Sequence, residues 1–277
     1  MKFFADDYKK IEERYDGPEG DRFALEELAP VVRRFLPPGG RVLEVGCGRG
    51  RNLVALSSTD AALLVGTDIY LSELKRARTR LEDRVPEAQG RVGLVRQDPF
   101  ALPFHDGAFD VVVLWQVIEH VFGNEAKRRF LAECVRVLRS GGHLLVETPN
   151  LWFPIDYHDN KLPLVHWILP NGPREWLTWK VRNVRYHPSH YVSIPSCARM
   201  LRSITGVTKV TKATRIYFSQ GAGEAWERIG GTRAGAKRLL FAALLPVHAV
   251  LSPFGGSADL FLPSLRVVWR IEKGTRG

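Results

Sequence analysis

The sequence predicts an α/β protein built on a doubly wound, mostly parallel sheet, and three observations carry that expectation. Short apolar runs of strand length alternate with longer segments whose apolar residues recur at helical spacing. The first run, Val42-Leu43-Glu44-Val45, empties into Gly46-x-Gly48-x-Gly50. Glycine there lets the backbone turn tightly and approach a ligand that a Cβ would push away. The next run, Ala61 to Thr67, ends in Asp68, 22 residues after Gly46. That is about where an acidic residue meets a ribose diol in a nucleotide-binding βαβ unit.

The elements follow in order. Residues 22–36 place Phe23, Leu25, Leu28, Val31, Val32 and Phe35 at helical spacing, and Pro37-Pro38-Gly39-Gly40 stops them. Strands are expected at about 41–46, 62–67, 91–96, 109–115 and 142–148, with helices at about 51–58, 71–84 and 124–138. The helix from Arg51 and Asn52 turns its free N–H groups back toward the glycine loop. This alternation places ligand sites at the strand C-termini. Residues 149–194, rich in Pro, Trp and His, lack the periodicity of a helix, and 219–263 contain an apolar piece, Leu239 to Leu251. Both are read as substrate or lid insertions, because loops that long are usually functional. The division expected is 1–150 for the ligand-binding core and 151–277 for the end of the sheet with its insertions.

Composition bounds the function. A chain of 277 residues, 45% hydrophobic and 25% charged, can bury a full core. Cys47, Cys134 and Cys197 form no C-x-x-C, which argues against a disulfide framework or a zinc site and fits a cytoplasmic location. The N-terminus turns acidic at Asp6-Asp7, unlike a signal peptide, and no apolar run reaches the roughly 20 residues that span a bilayer. Charge is uneven. Residues 1–150 carry a net −1 and residues 151–277 a net +11, and six of the seven tryptophans fall in the second part. Such a half favours an acidic or lipid-headgroup partner; nucleic acid ranks below these because no specific nucleic-acid motif accompanies the charge.

Glu44 distinguishes between nucleosides. A carboxylate beside a pyrophosphate is repelled, whereas beside an ammonium or sulfonium it is attracted. Glu44-x-Gly46-x-Gly48-x-Gly50 with Asp68 resembles motifs I and II of the class I S-adenosylmethionine (SAM)-dependent methyltransferases, type 11-like. The resemblance continues through Gln97-Asp98-Pro99-Phe100, Leu102-Pro103-Phe104 to Asp110, Val117-Ile118-Glu119-His120-Val121 and Leu138-Arg139-Ser140-Gly141-Gly142, over roughly residues 20–150. It is distantly similar to quinone-biosynthetic O-methyltransferases. It implies a Rossmann-like fold whose sheet closes with a C-terminal antiparallel hairpin. Val207–Phe218 and Leu265–Glu272 are the β-rich segments available for it, after a helix at about 195–204.

The resemblance also assigns a site. Gly46, Cys47, Gly48 and Gly50, with Asn52 in the helix behind them, would pack against the methionine part of SAM, and Glu44 would neutralise its ammonium. The alternative for Glu44 is a strand carboxylate that holds the loop's amides. Asp68 would accept both ribose hydroxyls, or else cap the helix beginning near Ser72. Ile69 would lie along the adenine. Asp98 would accept from the adenine amino group, with Gln97 and Pro99 walling the ring, or else serve a turn. Trp115 and Gln116, at the end of the fourth strand, complete the cofactor side.

Methyl transfer to a hydroxyl needs alignment and a proton acceptor. His120 is the candidate base, its imidazole range being suited to the task; the alternative is that it ties the loop to the next helix. Relatives with Glu-x-x-Glu-His here bind a divalent metal, but this chain reads Gln116-Val117-Ile118-Glu119-His120, and the lost carboxylate argues for no metal. His158 and His166 are secondary substrate-pocket candidates. The leading expectation is therefore a SAM-dependent methyltransferase acting on a small-molecule or lipid-like acceptor, with oxygen as the expected target atom. Its rivals are a non-catalytic SAM-binding or interaction protein and an NAD(P)-dependent oxidoreductase. Residues 228–251 combine Arg228, Arg233, Lys237 and Arg238 with the apolar run, which reads either as core or as a peripheral membrane contact.

Overall fold

The computed structural model describes residues 18–153, 164–182, 191–215 and 264–274, with positions 235, 239, 242, 243 and 246 between the last two spans. Strands β1 (Arg41–Val45), β2 (Leu63–Asp68), β3 (Val92–Arg96), β4 (Phe109–Trp115), β5 (Leu138–Pro149), β6 (Val207–Arg215) and β7 (Ser264–Lys273) form one sheet. Their order is β3-β2-β1-β4-β5-β7-β6. The first five run parallel, and β7 lies antiparallel between β5 and β6. From β1 the chain winds outward to β2 and β3, then returns to β4 on the other side. The crevice at that reversal opens beyond the C-terminal ends of β1 and β4, where open α/β sheets bind ligands.

Helices α1 (Pro18–Glu27), α2 (Ala29–Phe35), α3 (Arg51–Leu56), α4 (Leu71–Arg84), α5 (Asn124–Val137), α6 (Val165–Ile168), α7 (Asn171–Arg182) and α8 (Ile194–Arg202) accompany the sheet. Period-two alternation separates its two faces. Leu43, Val45, Val112, Leu114, Leu144 and Val146 join Phe130, Leu131 and Cys134 of α5 and Cys197 and Leu201 of α8 in one core. Val42, Leu64, Val111, Val113 and Leu145 join Val31 and Val32 of α2, Leu53 and Leu56 of α3, and Leu74 and Leu81 of α4 in the other. Both faces are thus covered, as a parallel sheet requires.

Three local features differ from the sequence reading. The helix expected over 22–36 is two helices, because Pro30 near the start of α2 has no N–H to continue the ladder of α1. Strand β5 starts at Leu138, where the helical reading still continued. Its register against β4 shifts between Phe109 and Val111, which absorbs the extra residues around the left-handed Gly141. In the stretch that lacked helical periodicity, α6 and α7 form. Helix α7 buries Arg174 and exposes Trp176 and Trp179, so the usual apolar-inward signal is reversed. Helix α8 is started by Ser193, whose side chain accepts from Ser196 N–H while Ser196 answers the Ser193 N–H. Most of 219–263 lies outside the described residues, as do His158, His187 and His190.

Candidate cofactor site

The three glycines after β1 all have positive φ, 75°, 50° and 75° at Gly46, Gly48 and Gly50, but each is needed for a different reason. A Cβ at Gly46 would come 2.5 Å from Val117 Cγ2, and one at Gly50 would come 3.0 Å from Ala77 Cβ. Those two positions allow the loop to pack on the β4 end and on α4. A Cβ at Gly48 would meet nothing within 4 Å, so this position is open on the side a ligand would approach. The loop is held from β2: the amides of Gly46 and Cys47 both donate to Thr67 O at 2.8 Å. Cys47 buries its side chain in the core behind the loop, and burial pushes its thiol well up, so it offers the loop its backbone.

Behind that loop lies a buried, half-satisfied polar pair. Glu44 is 1% exposed, and its Oε1 accepts from Asn52 Nδ2 at 2.6 Å. Glu44 Oε2 and Asn52 Oδ1 are both buried with no hydrogen-bond partner among the described residues. Burial raises the Glu44 carboxyl to about 7, against the Asn52 hydrogen bond and the nearby Arg51, which pull it down. The loop amides bond to Thr67 and Asp68. The alternative that Glu44 holds them is therefore not what is observed.

Asp68 ends β2 as expected and does not cap α4. The residue before α4 is Tyr70, and no side chain caps that helix. Instead Asp68 Oδ2 accepts from Gly48 N–H and Oδ1 from Tyr70 N–H, both at 2.9 Å. One carboxylate thus fixes the glycine loop and the start of α4 relative to each other. Each oxygen keeps a lone-pair direction for a further donor. Ile69 beside it is exposed. Gln97 bonds back to the β2 end, its N–H to Asp68 O at 3.2 Å and its Nε2 to Thr67 Oγ1 at 3.1 Å, while its buried Oε1 has no partner among the described residues. Asp98 and Pro99 form the turn that follows: Asp98 Oδ1 accepts from Phe100 N–H at 2.8 Å. Thr67, which links the loop, Glu44 O and Gln97, has no sequence signature beyond its place before Asp68.

At the β4 end, Gln116 adopts a left-handed φ of 55° and donates its N–H to Glu147 O at 2.8 Å. Trp115 is buried under the Arg266 guanidinium, 5.1 Å from its ring. The next turn sends consecutive side chains opposite ways. Glu119 is buried and accepts from Thr148 Oγ1 at 3.0 Å, while His120 is exposed. Lys127 of α5, buried, donates to Val121 O, and burial lowers it to about 8 against the pull of Glu119. Beside the glycine loop, along α4, a basic groove of about 570 Å³ is lined by Arg49, Lys75, Arg76, Thr79, Arg80, Asp83 and Arg84. Part of its charge is paired internally, Arg49 with Glu73 at 2.9 Å and Arg80 with Asp21 at 2.7 Å.

At this end of the sheet the structure brings together the buried Glu44–Asn52 pair, the open side of Gly48 and the carboxylate of Asp68. A Rossmann-like sheet with this strand order and a carboxylate behind its glycine loop is the architecture of a class I methyltransferase domain.

Comparison with known proteins agrees. Residues 43–146 match the model of a family described as a methyltransferase domain. A Mycolicibacterium smegmatis protein described as a probable S-adenosylmethionine-dependent methyltransferase is 38% identical over 112 residues, 40% of this chain and 39% of that protein. The phthiotriol/phenolphthiotriol dimycocerosates methyltransferase 1 of Mycobacterium ulcerans is 43% identical over 108 residues, 39% of this chain and 36% of that protein. The chain therefore spans under two fifths of the length of these relatives. Among solved structures, the YcgJ protein of Bacillus subtilis shares the fold with a TM-score of 0.53 at 14% identity, over 91% of this chain and 99% of that one.

Proposed function

We propose that the protein transfers a methyl group from SAM to a hydroxyl oxygen of a small or lipid-like acceptor. The buried Glu44–Asn52 pair carries this reading, because its unsatisfied acceptors at the glycine loop suit an amino-acid ammonium and would repel a pyrophosphate. Bound there, SAM supplies a methyl group already activated on a positively charged sulfur. Glu44 would hold the ammonium and Asp68 the ribose hydroxyls, with Ile69 along the adenine and Gln97, Asp98 and Pro99 around its edge. Gln116, held by Glu147 O, would shape the floor beside the reacting carbon. Positioning of this kind contributes roughly 7–11 kcal/mol to such a displacement.

His120 would take the hydroxyl proton as the methyl carbon exchanges its bond to sulfur for one to oxygen, which leaves S-adenosylhomocysteine. His120 is exposed beyond the C-terminal end of β4, where an acceptor could reach it, and the amide of Gln116 in place of a carboxylate argues against a metal. The relative named for a triol acceptor supports oxygen as the target. The free, buried cysteines suit a cytoplasmic setting, and no helix among the described residues is long and apolar enough to cross a membrane. The membrane contact expected at 228–251 falls largely outside the described residues.

Turnover with methyl-labelled SAM on cytosolic and lipid fractions tests the reading. Label should enter a hydroxyl-bearing acceptor, and His120→Ala should lower kcat by about 10²–10⁴-fold while SAM affinity stays unchanged. Chelator should leave turnover intact. Activity lost on chelation and restored by magnesium or zinc rejects the metal-free mechanism. SAM binding without any labelled product favours a non-catalytic SAM-binding protein.

A further inference from the structure

Helix α7 is inside out. A helix on a water-soluble core turns apolar side chains inward and charges outward. Here Arg174 is 5% exposed, while Trp176 is 59% exposed and Trp179 and Val181 also face outward. Helix α6, packed against α7, adds exposed Trp167 and Ile168, the latter at 69%. Residues 176, 179 and 180 are three and four apart and share one face, so the exposed Lys180 stands beside both indoles. Trp176 and Trp179 on one face of α7, with Trp167 and Ile168 on the contacting α6, make four large exposed apolar side chains, more than the single scattered ones a surface ordinarily carries.

The position of this face matters. Trp167 Nε1 donates to Leu151 O at 2.5 Å, and Leu151 follows the C-terminal end of β5. That is the end of the sheet where the glycine loop, Asp68 and His120 also stand. We propose that α6 and α7 form a docking surface for an anionic lipid bilayer, which brings the catalytic rim of the sheet to acceptors held in the membrane. Indole rings with a lysine among them match the headgroup zone, where an apolar body and a polar edge are both satisfied. The exposed Lys180 gives this face a positive charge for an anionic leaflet, within a half of the sequence that carries a net +11. The use of this surface in catalysis rests on the methyl-transfer reading above; the surface itself rests on exposure and charge.

Co-sedimentation of the full chain with vesicles tests it, using phosphatidylglycerol mixed into phosphatidylcholine against phosphatidylcholine alone, at low and high salt. The chain should bind the anionic vesicles, and salt should weaken the binding. Trp176→Ala with Trp179→Ala should weaken it about ten-fold or more, and Lys180→Glu should weaken it in the same direction. Both variants should keep wild-type affinity for SAM by calorimetry, which shows that they are folded. Three outcomes overturn the proposal: wild-type chain left in the supernatant with both vesicle types, unchanged vesicle binding by the double variant, or a dimer in solution that the double variant dissociates without any vesicle binding. Vesicle binding with these properties in a chain that does not bind SAM would leave the surface standing and reject the methyltransferase reading instead.

Discussion

Glu44 is a carboxylate that the fold keeps buried with one oxygen unanswered. In the unfolded chain it ionises near its usual 4.5, and in the folded protein at about 7. Between those values the unfolded state releases a proton that the folded state keeps, so this group makes stability fall as pH rises from about 4.5 to 7. A bound ammonium favours the ionised form, which gives the opposite slope for ligand affinity. SAM should bind more weakly as pH drops below 7, by up to about ten-fold per unit. Glu44→Gln should remove that slope and the matching change in thermal stability; calorimetric titrations and melts across this range check both. Asp68→Ala removes the tie between Gly48 and Tyr70 and, on the proposed binding mode, the acceptor for the ribose hydroxyls. The expected loss in SAM affinity is roughly 1–3 kcal/mol in a variant with unchanged circular dichroism. The position of both residues was readable from their spacing to the glycines. The Asn52 partner and the amide contacts of Asp68 were not, because a side chain's hydrogen-bond partner depends on how the loop folds back.

At the scale of elements, the site depends on how closely α3 approaches β2. Gly66 makes that approach possible: a Cβ there would come 2.4 Å from Leu53 Cδ1 and 2.9 Å from Cys47 Sγ. Gly66→Ala must therefore displace the Leu53 and Cys47 side chains that pack on the strand. The expected cost is about 1–3 kcal/mol in urea unfolding, accompanied by weaker SAM binding because Cys47 belongs to the glycine loop. In the sequence Gly66 is merely one residue of an apolar run, and nothing local marks it as a contact point. Elements whose apolar residues face inward, such as α4 and α5, were legible with their ends nearly correct. Helix α7 was not, because its tryptophans face outward and its arginine inward, and a reading based on inward apolar faces cannot see such a helix.

Across the whole molecule, one buried arginine joins distant parts of the chain. Arg266 on β7 pairs with Glu27 of α1 at 2.5 Å, lies 3.8 Å from Glu147 of β5 and covers the ring of Trp115 on β4. It thereby connects the first helix to the late strands just under the Gln116 turn. Arg266→Met would leave the carboxylate of Glu147, itself 2% exposed, without this cation. Removing one member of such a buried pair costs roughly 3–5 kcal/mol, readable in urea unfolding. Arg266→Lys should recover only part of it, since an ammonium lacks the planar fork that serves two carboxylates and an aromatic face. The sequence signal was present but faint: a single charge inside the apolar run Leu265-Arg266-Val267-Val268.

By itself the sequence determined the parallel βαβ core, the glycine loop and the acidic residue that ends β2, because strand length, helical spacing and glycine's conformational range are properties of short segments. Tertiary structure decided which strands lie side by side at the far edge, where β7 enters between β5 and β6 from more than a hundred residues away. It also decided that Glu119 turns inward while His120 stays out, that Glu44 shares its burial with Asn52, and that α7 shows its tryptophans to the surroundings. Burial, pairing and exposure belong to the assembled sheet and its covering helices, and no run of residues contains them before the chain has folded.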